Sequence, residues 1–346
     1  MKNPVNIAKK GYNKILQIDG LIAHINSLQE MQKNTLEQIT DLKTHISNLE
    51  IQNNVLQEKN DYLQELICAN VDIEKAPTAK GFMRLAQLAN FNLLLVFKNI
   101  CEKNNLEFYL NFGSLLGAVR HKGYIPWDDD IDVMMIREDY NKLIAILEKA
   151  FLGTKLFFVH SEIIRIYYGN TPMQLDVFPS DFYQSPVKDE ADRHKLGKKL
   201  IKLHFDNIKF DWSKLNQQSR TIVNLTYPEI EKLRISSIGP DISKKDAAKI
   251  HPAIYHGIEK SSIRDERSVQ DYDWIYPLKK LSFEGTLMPV PNQPDRLLSH
   301  YYGDYMLWPN KILPKHDDIQ TRTNQETINI LKDIVNNKIN ILEKSK

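Results

Sequence analysis

The sequence predicts an α/β protein in which a long N-terminal coiled coil precedes a globular domain. Apolar residues recur with a seven-residue period over residues 18–67, a spacing typical of a coiled coil. Beyond it, short apolar runs that resemble strands alternate with amphipathic helical segments, which indicates a mixed α/β domain. The chain has 346 residues, 42% of them hydrophobic, enough for one large packed domain besides the coil.

Composition argues against several classes of protein. The formal net charge of +2 gives no general attraction to nucleic acid, so we expect no nucleic-acid partner. The two cysteines, Cys68 and Cys101, have neither the number nor the spacing of a zinc site or a disulfide framework. The densest apolar run, residues 91–97, is too short to cross a bilayer, and the N-terminus does not resemble a secretory signal. We expect a cytoplasmic protein, or one peripheral to the inner face of the cytoplasmic membrane.

Residues 1–16 form a basic N-terminal segment, with Lys2, Lys9, Lys10 and Lys14 and no acidic residue. Two interpretations stay open for it. The segment is either a solvated tail or a peripheral contact with anionic lipid, because lysines near such a surface are attracted to it.

Residues 17–68 are predicted to form a coiled coil that joins two copies of the chain in a homodimer. With Ile18 at position a, the a positions are Ile18, Ile25, Gln32, Ile39, Ile46, Asn53, Asn60 and Ile67, and the d positions are Leu21, Leu28, Thr35, Leu42, Leu49, Leu56 and Leu63. Isoleucine at a with leucine at d favours two parallel strands, and asparagine at a fixes their register. The alternative is an amphipathic helix that folds back on its own domain.

Residues 69–82 are predicted to be a linker, because the tripeptide Ala-Pro-Thr at 76–78 interrupts the helical pattern. An amphipathic helix is predicted over residues 81–103, followed by a short buried strand at residues 108–110. At the other end of the chain, residues 321–346 are predicted to form a C-terminal helix.

Gly113 and Ser114 follow that strand directly and precede a short helical segment that ends at Arg120. A strand, a tight turn and a helix N-terminus together present backbone N–H groups to an anion. Glycine allows close approach of a phosphate, and serine can cap the helix or donate to a phosphate oxygen. We therefore predict that Gly113 and Ser114 bind a substrate phosphate, and we include Arg120 among the substrate-binding residues.

Four aspartates follow within five positions, namely Asp128, Asp129, Asp130 and Asp132. Asp130 and Asp132 are predicted to lie at the start of the apolar strand that follows, so that their side chains project from one face, because side chains alternate along a strand. Two carboxylates so placed suit a hard cation with oxygen ligands, either Mg²⁺ or Mn²⁺. Asp128 and Asp129 are typical of a solvated turn, although Asp129 is also a candidate substrate contact.

Asp176 is a candidate third carboxylate of the same site. It is flanked by apolar residues in a strand-like run, where an unpaired buried acid is costly unless it binds metal or acts as a base. An exposed position on an edge strand is the alternative. Arg165 lies in a neighbouring strand-like run and can either bind a phosphate or neutralise the acids.

These segments resemble the signature of the LicD family, the bacterial phosphorylcholine transferases, to which the fukutin-type ribitol-phosphate transferases are related. The resemblance rests on GSLLGAVRHKGYIPWDDDID at residues 113–132, on YPL, FEG and PVP between residues 276 and 291, and on YGDYM at 302–306 with Pro309. It covers residues 83–320 as a catalytic domain and implies a nucleotidyltransferase-like mixed sheet with flanking helices. It further implies that Asp130 and Asp132 bind metal, with Asp176 as the third carboxylate.

The resemblance also implies a reaction. A phosphate-linked group (phosphocholine, glycerol phosphate or ribitol phosphate) would pass from a CDP-activated donor to a surface glycan, with release of CMP. Two departures from the family pattern stand out: Phe112 occupies a position where a second glycine is expected, and residues 185–270 match loosely. We expect this loosely matching region, rich in Lys and Arg and including Arg193, to recognise the acceptor, although a solvated basic helix explains its composition as well.

Two other functions are compatible with the same residues. A nucleotidyltransferase would use the same acids to move a nucleotide monophosphate, since a fold does not determine which group is transferred. A coiled-coil scaffold with a degenerate catalytic domain is the third interpretation, and the presence of all three acids argues against it.

Overall fold

The computed structural model describes residues 4–160, 162–209, 226–259, 266–309, 312, 323–337 and 340–343. The chain divides into two compact units, Met1–Asn70 and Val71–Lys346, which we describe separately. The first unit is a single helix, α1 (Pro4–Asn70), about 100 Å long at the rise of an α-helix. This helix includes most of the predicted basic segment and the whole of the predicted coil.

The second unit is mixed α/β, which confirms the predicted fold class. Its helices are α2 (Gly81–Lys103), α3 (Phe112–Arg120), α4 (Arg137–Phe151), α5 (Glu190–Asn207), α6 (Tyr227–Ile238), α7 (Lys244–Ile250), α8 (Tyr272–Ile275), α9 (Pro294–Tyr302) and α10 (Gln325–Val335). Its strands are β1 (Tyr109–Leu110), β2 (Asp132–Ile136), β3 (Leu156–His160), β4 (Ile164–Tyr168), β5 (Gln174–Phe182), β6 (Ala253–His256), β7 (Val269–Asp271), β8 (Lys279–Phe283) and β9 (Thr286–Val290).

Seven of these strands form one mixed sheet. Its main order is β1-β2-β5-β4-β3, and β6 and β7 extend it from β5. Strands β2 and β5 are parallel, and the other pairs are antiparallel. Strand β5 is long enough to pair with β4 through its first half and with β6 through its last three residues. Strands β8 and β9 form a separate hairpin.

The main core lies between this sheet and helices α2, α4 and α9. Strand β2 is buried on both faces, so its apolar residues run without alternation from Val133 to Ile136, as is usual for a central strand. Helix α2 contributes Leu93, Leu94 and Phe97 to the same core. The resulting scaffold holds the first residue of β2, Asp132, in a fixed position.

A smaller core lies in the region that we expected to recognise the acceptor. Leu200 of α5, Ile230 of α6 and Tyr255 of β6 pack together there with Val269 of β7. Within residues 185–270, helices α5 and α6 therefore pack with strands β6 and β7 of the sheet, and residues 210–225 and 260–265 lie outside the described residues.

Three predicted boundaries can be compared with the observed elements. The predicted helix over residues 81–103 corresponds to α2. Within the predicted linker, a 3-10 helix forms at Ile73–Lys75 and Ile73 is buried, so this part of the linker packs against the domain. The predicted C-terminal helix is represented by α10, which Asn324 caps by accepting a hydrogen bond from the Thr327 N–H. No helix among the described residues is long and apolar enough to cross a membrane.

Candidate active site

Asp132, Asp176 and Arg165 form one row across three strands of the sheet. Asp132 is the register partner of Asp176 on the parallel pair β2–β5, and Arg165 is the register partner of Asp176 on β4–β5. Register partners project from the same face of a sheet, on strands about 4.8 Å apart. The two carboxylates that the sequence placed on separate segments therefore lie side by side.

The negative charge of Asp176 is compensated by neighbouring hydrogen-bond donors. Its Oδ2 lies 3.5 Å from the Arg165 Nε, and its Oδ1 accepts a hydrogen bond of 2.8 Å from the Gln174 Nε2. Arg165 is shared with Glu162, at 2.9 Å. Burial alone would lower the pKa of Arg165, but the charge of Asp176 and the bond to Glu162 outweigh it and raise that pKa. Arg165 thus pairs with both acids, and a role of Arg165 in phosphate binding stays a prediction.

The other three aspartates form a cluster in the loop before β2. Carboxylate oxygens of Asp128, Asp129 and Asp130 all lie within 4.8 Å of one another. The strand begins at Asp132 rather than at Asp130, so strand alternation does not explain how Asp130 and Asp132 are placed. The expectation of a solvated turn at Asp128 and Asp129 is wrong, because both side chains are buried, with 8% and 3% exposure.

Two buried amides of α2 hold this acidic loop, and sequence reasoning missed them. The Gln87 Nε2 donates to the carbonyl oxygen of Asp128 at 2.8 Å, and the Asn90 Nδ2 donates to that of Asp129. The Asn90 Oδ1 also accepts from the Gln174 N–H at 2.8 Å, which ties the loop to the start of β5. The available signal was a pair of amides three residues apart on the apolar face of an amphipathic helix.

Gly113 and Ser114 lie in the first turn of α3, beside the acids. The Ser114 Oγ accepts a hydrogen bond of 2.9 Å from the Asp132 N–H. A Cβ atom on Gly113 would collide with the Asp128 carboxylate and come within 3.9 Å of the Asp132 Oδ2. The glycine is therefore needed for the acids to approach α3, and phosphate binding at this turn stays a prediction.

Phe112, where the family pattern suggests glycine, has a φ of +46°. This left-handed conformation is unfavourable for a bulky residue and persists only where the surroundings enforce it. Here the ring packs against Phe178, His256 and Tyr301, each with ring centroids 5.3 Å apart. The aromatic cluster fixes the start of α3, and with it the position of Gly113.

Arg120 contacts the third block of the family signature. It donates to the Tyr305 carbonyl at 2.8 Å and to the His121 Nε2 at 3.0 Å. Burial lowers the pKa of Arg120 to about 10, and burial together with Arg120 lowers the pKa of His121 to about 4, so His121 is a neutral acceptor near pH 7. These contacts position residues 302–306, and a role of Arg120 in substrate binding stays a prediction.

An aromatic pair connects the acidic loop to the segment that follows α1 in sequence. Trp127, directly before Asp128, stacks on Trp308 with ring centroids 5.8 Å apart. The Trp308 Nε1 donates to the Val71 carbonyl at 2.7 Å. The loop is thus supported by α2 on one side and by this pair on another.

Glu284, in the second block of the family signature, contacts the first block. Its carboxylate accepts two hydrogen bonds from Arg84, of 2.9 and 2.7 Å, and one from the Tyr124 N–H. Burial raises the pKa of Glu284, but Arg84 and the Tyr124 N–H outweigh it, and the net pKa is lowered. A Cβ on Gly123 would come within 2.5 Å of this carboxylate. The block thus fixes the chain just before the acidic loop.

In the basic region of residues 185–270, Arg193 is buried against residues of the domain itself. It lies 3.2 Å from Asp271 and stacks 4.5 Å above the Trp274 ring. The lysines of α5, Lys195, Lys198, Lys199 and Lys202, are exposed. Acceptor recognition by this helix face therefore stays a prediction that rests on the lysines alone.

Comparison with known proteins agrees with the resemblance. Residues 105–204, which contain every candidate site residue, match the family described as LicD/FKTN/FKRP, nucleotidyltransferase domain. The lipopolysaccharide cholinephosphotransferase LicD of Haemophilus influenzae is 30% identical over 262 residues, which cover 68% of this chain and 94% of the relative. The chain belongs to the LicD family.

Other relatives share shorter stretches with this LicD-family chain. The ribitol 5-phosphate transferase FKRP of Mus musculus is 30% identical over 90 residues, covering 23% of this chain and 18% of that protein. An uncharacterised protein of Rickettsia prowazekii is 31% identical over 127 residues, covering 32% of this chain and 47% of that protein. The two relatives with named activities transfer phosphate-linked groups, so the chain is a phosphotransferase of the LicD type.

The amide of Asn90 should control how well the acidic loop binds a divalent cation. We expect Asn90→Leu to weaken Mn²⁺ binding by about 10- to 100-fold, the usual effect of losing a residue that orients metal ligands. Electron paramagnetic resonance during a Mn²⁺ titration measures this. Asn92→Leu is the matched control, because the Asn92 amide donates to the Leu88 carbonyl of its own helix. Equal Mn²⁺ affinity in the two variants would contradict the role of Asn90.

Gly113→Ala should lower kcat/KM by about 100-fold, since a displacement of roughly 1 Å at a catalytic group has effects of this size. The added Cβ would push the Asp128 carboxylate away, so Mn²⁺ affinity should fall in the same variant. Gly20→Ala is the control, because nothing lies within 4 Å of a Cβ at Gly20. Normal kinetics for Gly113→Ala would show that the loop tolerates the displacement.

Proposed function

We propose that this LicD-family phosphotransferase moves phosphocholine, glycerol phosphate or ribitol phosphate from a CDP-activated donor to a hydroxyl of a cell-surface polysaccharide or lipid-linked glycan, and releases CMP. The observation that carries the proposal is the row formed by Asp132 and Asp176 on adjacent strands, directly after the clustered carboxylates of residues 128–130. The names of the two phosphotransferase relatives support the class of transferred group.

The clustered carboxylates of Asp128, Asp129 and Asp130 fit a divalent cation. Hard cations take carboxylate oxygens as ligands, and a buried cluster of like charges is unfavourable without a compensating positive charge. Asp130, Asp132 and Asp176 would hold Mg²⁺ or Mn²⁺, and the buried Asp128 and Asp129 extend the same acidic surface. When bound, the ion supplies positive charge to the donor diphosphate and to the departing phosphate oxygen.

The N-terminus of α3 is placed to bind the donor phosphates. Backbone N–H groups in the first turn of a helix are not used within the helix and attract anions. Gly113 and Ser114 lie in this turn beside Asp128 and Asp132. A diphosphate held there would lie beside the carboxylates of Asp128 and Asp132.

The proposed transfer is a direct displacement at that β-phosphorus. The acceptor hydroxyl oxygen forms a bond to phosphorus, and the bond from phosphorus to the bridging oxygen breaks, so that CMP leaves with that oxygen. The hydroxyl proton passes to a carboxylate, and Asp176 is the candidate base if it is not occupied as a ligand. Arg165, 3.5 Å from Asp176, offsets the charge on this side of the site. We place this reaction in the cytoplasm or at the inner face of the cytoplasmic membrane.

Phosphorus NMR tests the proposal. The purified protein is incubated with Mg²⁺ and, in separate samples, CDP-choline, CDP-glycerol or CDP-ribitol, together with a candidate glycan acceptor. We expect a CMP resonance and a new phosphodiester resonance with one donor, and neither after chelation of the metal. Absence of CMP with every donor would overturn the proposal.

A nucleotidyltransferase is the second candidate, because the matched family region is described as a nucleotidyltransferase domain. Such an enzyme would move a nucleotide monophosphate to a small phosphorylated or sugar acceptor and release pyrophosphate instead of CMP. The same spectra distinguish the two candidates when a nucleoside triphosphate is supplied, since pyrophosphate has its own resonance.

A further inference from the structure

Helix α1 carries a row of exposed apolar side chains, interrupted by polar residues at four of its a and d positions. The row consists of Ile18, Ile25, Ile39, Ile46 and Ile67 at a positions and Leu21, Leu28, Leu42, Leu49, Leu56 and Leu63 at d positions. Each of these side chains is between 42% and 63% exposed. The row extends about 75 Å along the helix. Helices in proteins gain most of their stability from packing of an apolar face, so an exposed apolar surface of this length indicates a partner.

We infer that the occupant is the same helix of a second copy of this chain, packed parallel and in register as a two-stranded coiled coil. The inference is independent of the proposed reaction, because it uses residues outside the candidate active site. The heptad repeat selects another helix as the partner, since residues spaced by seven lie along one narrow seam. A partner of the same sequence supplies the same spacing over the full length.

The residues at a and d favour two strands. Where the seam is apolar, every a position is isoleucine and every d position is leucine, the arrangement that packs best in parallel dimers. Isoleucine at both positions, or the reverse assignment, would favour three or four strands. The chain shows neither pattern.

Polar residues in the seam favour the parallel, in-register arrangement. Asn53 and Asn60 occupy a positions, and in this arrangement each meets its own copy, so that the two amides can hydrogen-bond to each other. In an antiparallel pair, a positions meet d positions, which are leucine in six of seven heptads here. Since only Thr35 interrupts the leucines, at least one of the two amides would then be buried without a polar partner, which is unfavourable.

The residues that flank the seam agree with this orientation. In a parallel pair, each g position lies opposite the e position of the next heptad in the other copy. His45 would then face Glu50, and Lys59 would face Gln64, so no like charges meet. Met31 would face Leu36, which extends the apolar contact beside the polar layer at Gln32. Parallel packing also means that both chains continue into their phosphotransferase units from the same end of the coil.

Sedimentation of the full chain measures the number of copies. We expect twice the mass of one chain at micromolar concentration, and the mass of one chain for the double variant Leu42→Glu, Leu49→Glu, which places like charges in the seam. The control is Thr44→Glu, Ile51→Glu, an equal change in charge at two f positions on the opposite side of the helix, which should keep the doubled mass. The thermal transition of the phosphotransferase unit should be unchanged in both variants.

Disulfide cross-linking measures the orientation. In a Cys68→Ser background, Leu63→Cys should form a covalent dimer in an oxidised glutathione buffer, because position 63 meets its own copy only when the helices are parallel and in register. Antiparallel helices would place the two residues tens of ångströms apart. Glu58→Cys, at an f position, is the control that should stay uncrosslinked. The remaining thiol, Cys101, is buried, which raises its pKa and suppresses its reaction.

Each result decides the inference. A doubled mass with cross-linking at position 63 supports it. A monomeric full chain refutes it, a trimer or tetramer refutes the two-stranded assignment, and a dimer that fails to cross-link at position 63 refutes the parallel register.

Discussion

Asp132→Asn should lower the turnover number for CMP release by about 1,000-fold or more, since a bound metal ion contributes several kcal/mol to the stabilisation of a phosphoryl-transfer transition state. The substitution keeps the shape of the side chain and removes its charge. It leaves the backbone N–H of Asp132 free to keep its bond to the Ser114 Oγ, so the start of β2 should stay in place. Asp130→Asn should have a similar effect, because Asp130 belongs to the clustered carboxylates.

Stability and metal affinity distinguish loss of chemistry from loss of fold. We expect the melting temperature of metal-free Asp132→Asn to equal or exceed that of the wild type, since removal of one charge relieves repulsion within the cluster. Mn²⁺ affinity should fall in parallel with activity. Asp206→Asn, an equivalent change at an exposed position on α5, is the control that should alter neither quantity. Near-normal turnover in Asp132→Asn would remove this residue from the site.

Asp176→Asn separates the two roles left open for that residue. If Asp176 is a ligand, Mn²⁺ affinity and turnover should fall together. If it is the base, turnover should fall while Mn²⁺ affinity is retained, because the lost function is acceptance of a proton. Arg165 keeps its bond to Glu162 in this variant, so the sheet should not gain an uncompensated charge. Full turnover with unchanged Mn²⁺ affinity would exclude both roles.

The sequence predicted those features of the candidate site that depend on neighbouring residues in one segment. It did not predict the features that depend on how separate elements pack. The aspartates, Gly113 and Ser114 were identifiable from residue types and spacing along one segment. The pairing of Asp132 with Asp176 across parallel strands required strand order and register, which alternation within a single segment does not determine. The start of β2 was placed two residues too early, because a run of aspartates before an apolar run does not mark where the ladder hydrogen bonds begin.

The supporting residues were missed for a related reason. Asn90 acts on backbone groups at Asp129 and Gln174, and the sequence contains no periodicity that connects such distant positions. The burial of Asp128 and Asp129 likewise depends on how the elements pack, so the sequence did not reveal it. Propensity and periodicity predict elements, whereas hydrogen bonds from side chains to distant backbone groups depend on how those elements pack.

Packing also creates a buried network of charged residues between the sheet and residues 185–270. Arg137, the first residue of α4, donates two hydrogen bonds of 2.8 Å to Asp181 of β5 and bonds of 2.7 and 3.1 Å to Glu259, which follows β6. Arg234 of α6 lies 3.4 Å from Asp181. The network therefore joins the strand that carries Asp176 to the small core of residues 185–270.

Arg137→Met should lower the free energy of unfolding by about 3–5 kcal/mol, the usual result of removing one partner from a buried ion pair. Burial alone would lower the pKa of Arg137, but the charges of Asp181 and Glu259 outweigh it and raise that pKa well above its usual value. The guanidinium is therefore always charged, and methionine would leave two buried carboxylates that have lost their principal cation. Denaturant unfolding followed by circular dichroism measures the change.

Two further variants show whether the charge of Arg137 or the packing of its side chain accounts for the lost stability. Lys249→Met removes an exposed lysine that pairs with the exposed Asp246 on the same helix, and we expect a change within about 0.5 kcal/mol because exposed pairs contribute little. Adding Glu259→Gln to Arg137→Met should recover part of the lost stability, since one of the uncompensated charges is then removed. No recovery in that double variant would mean that the packing of the arginine side chain, rather than its charge, joins the sheet to residues 185–270.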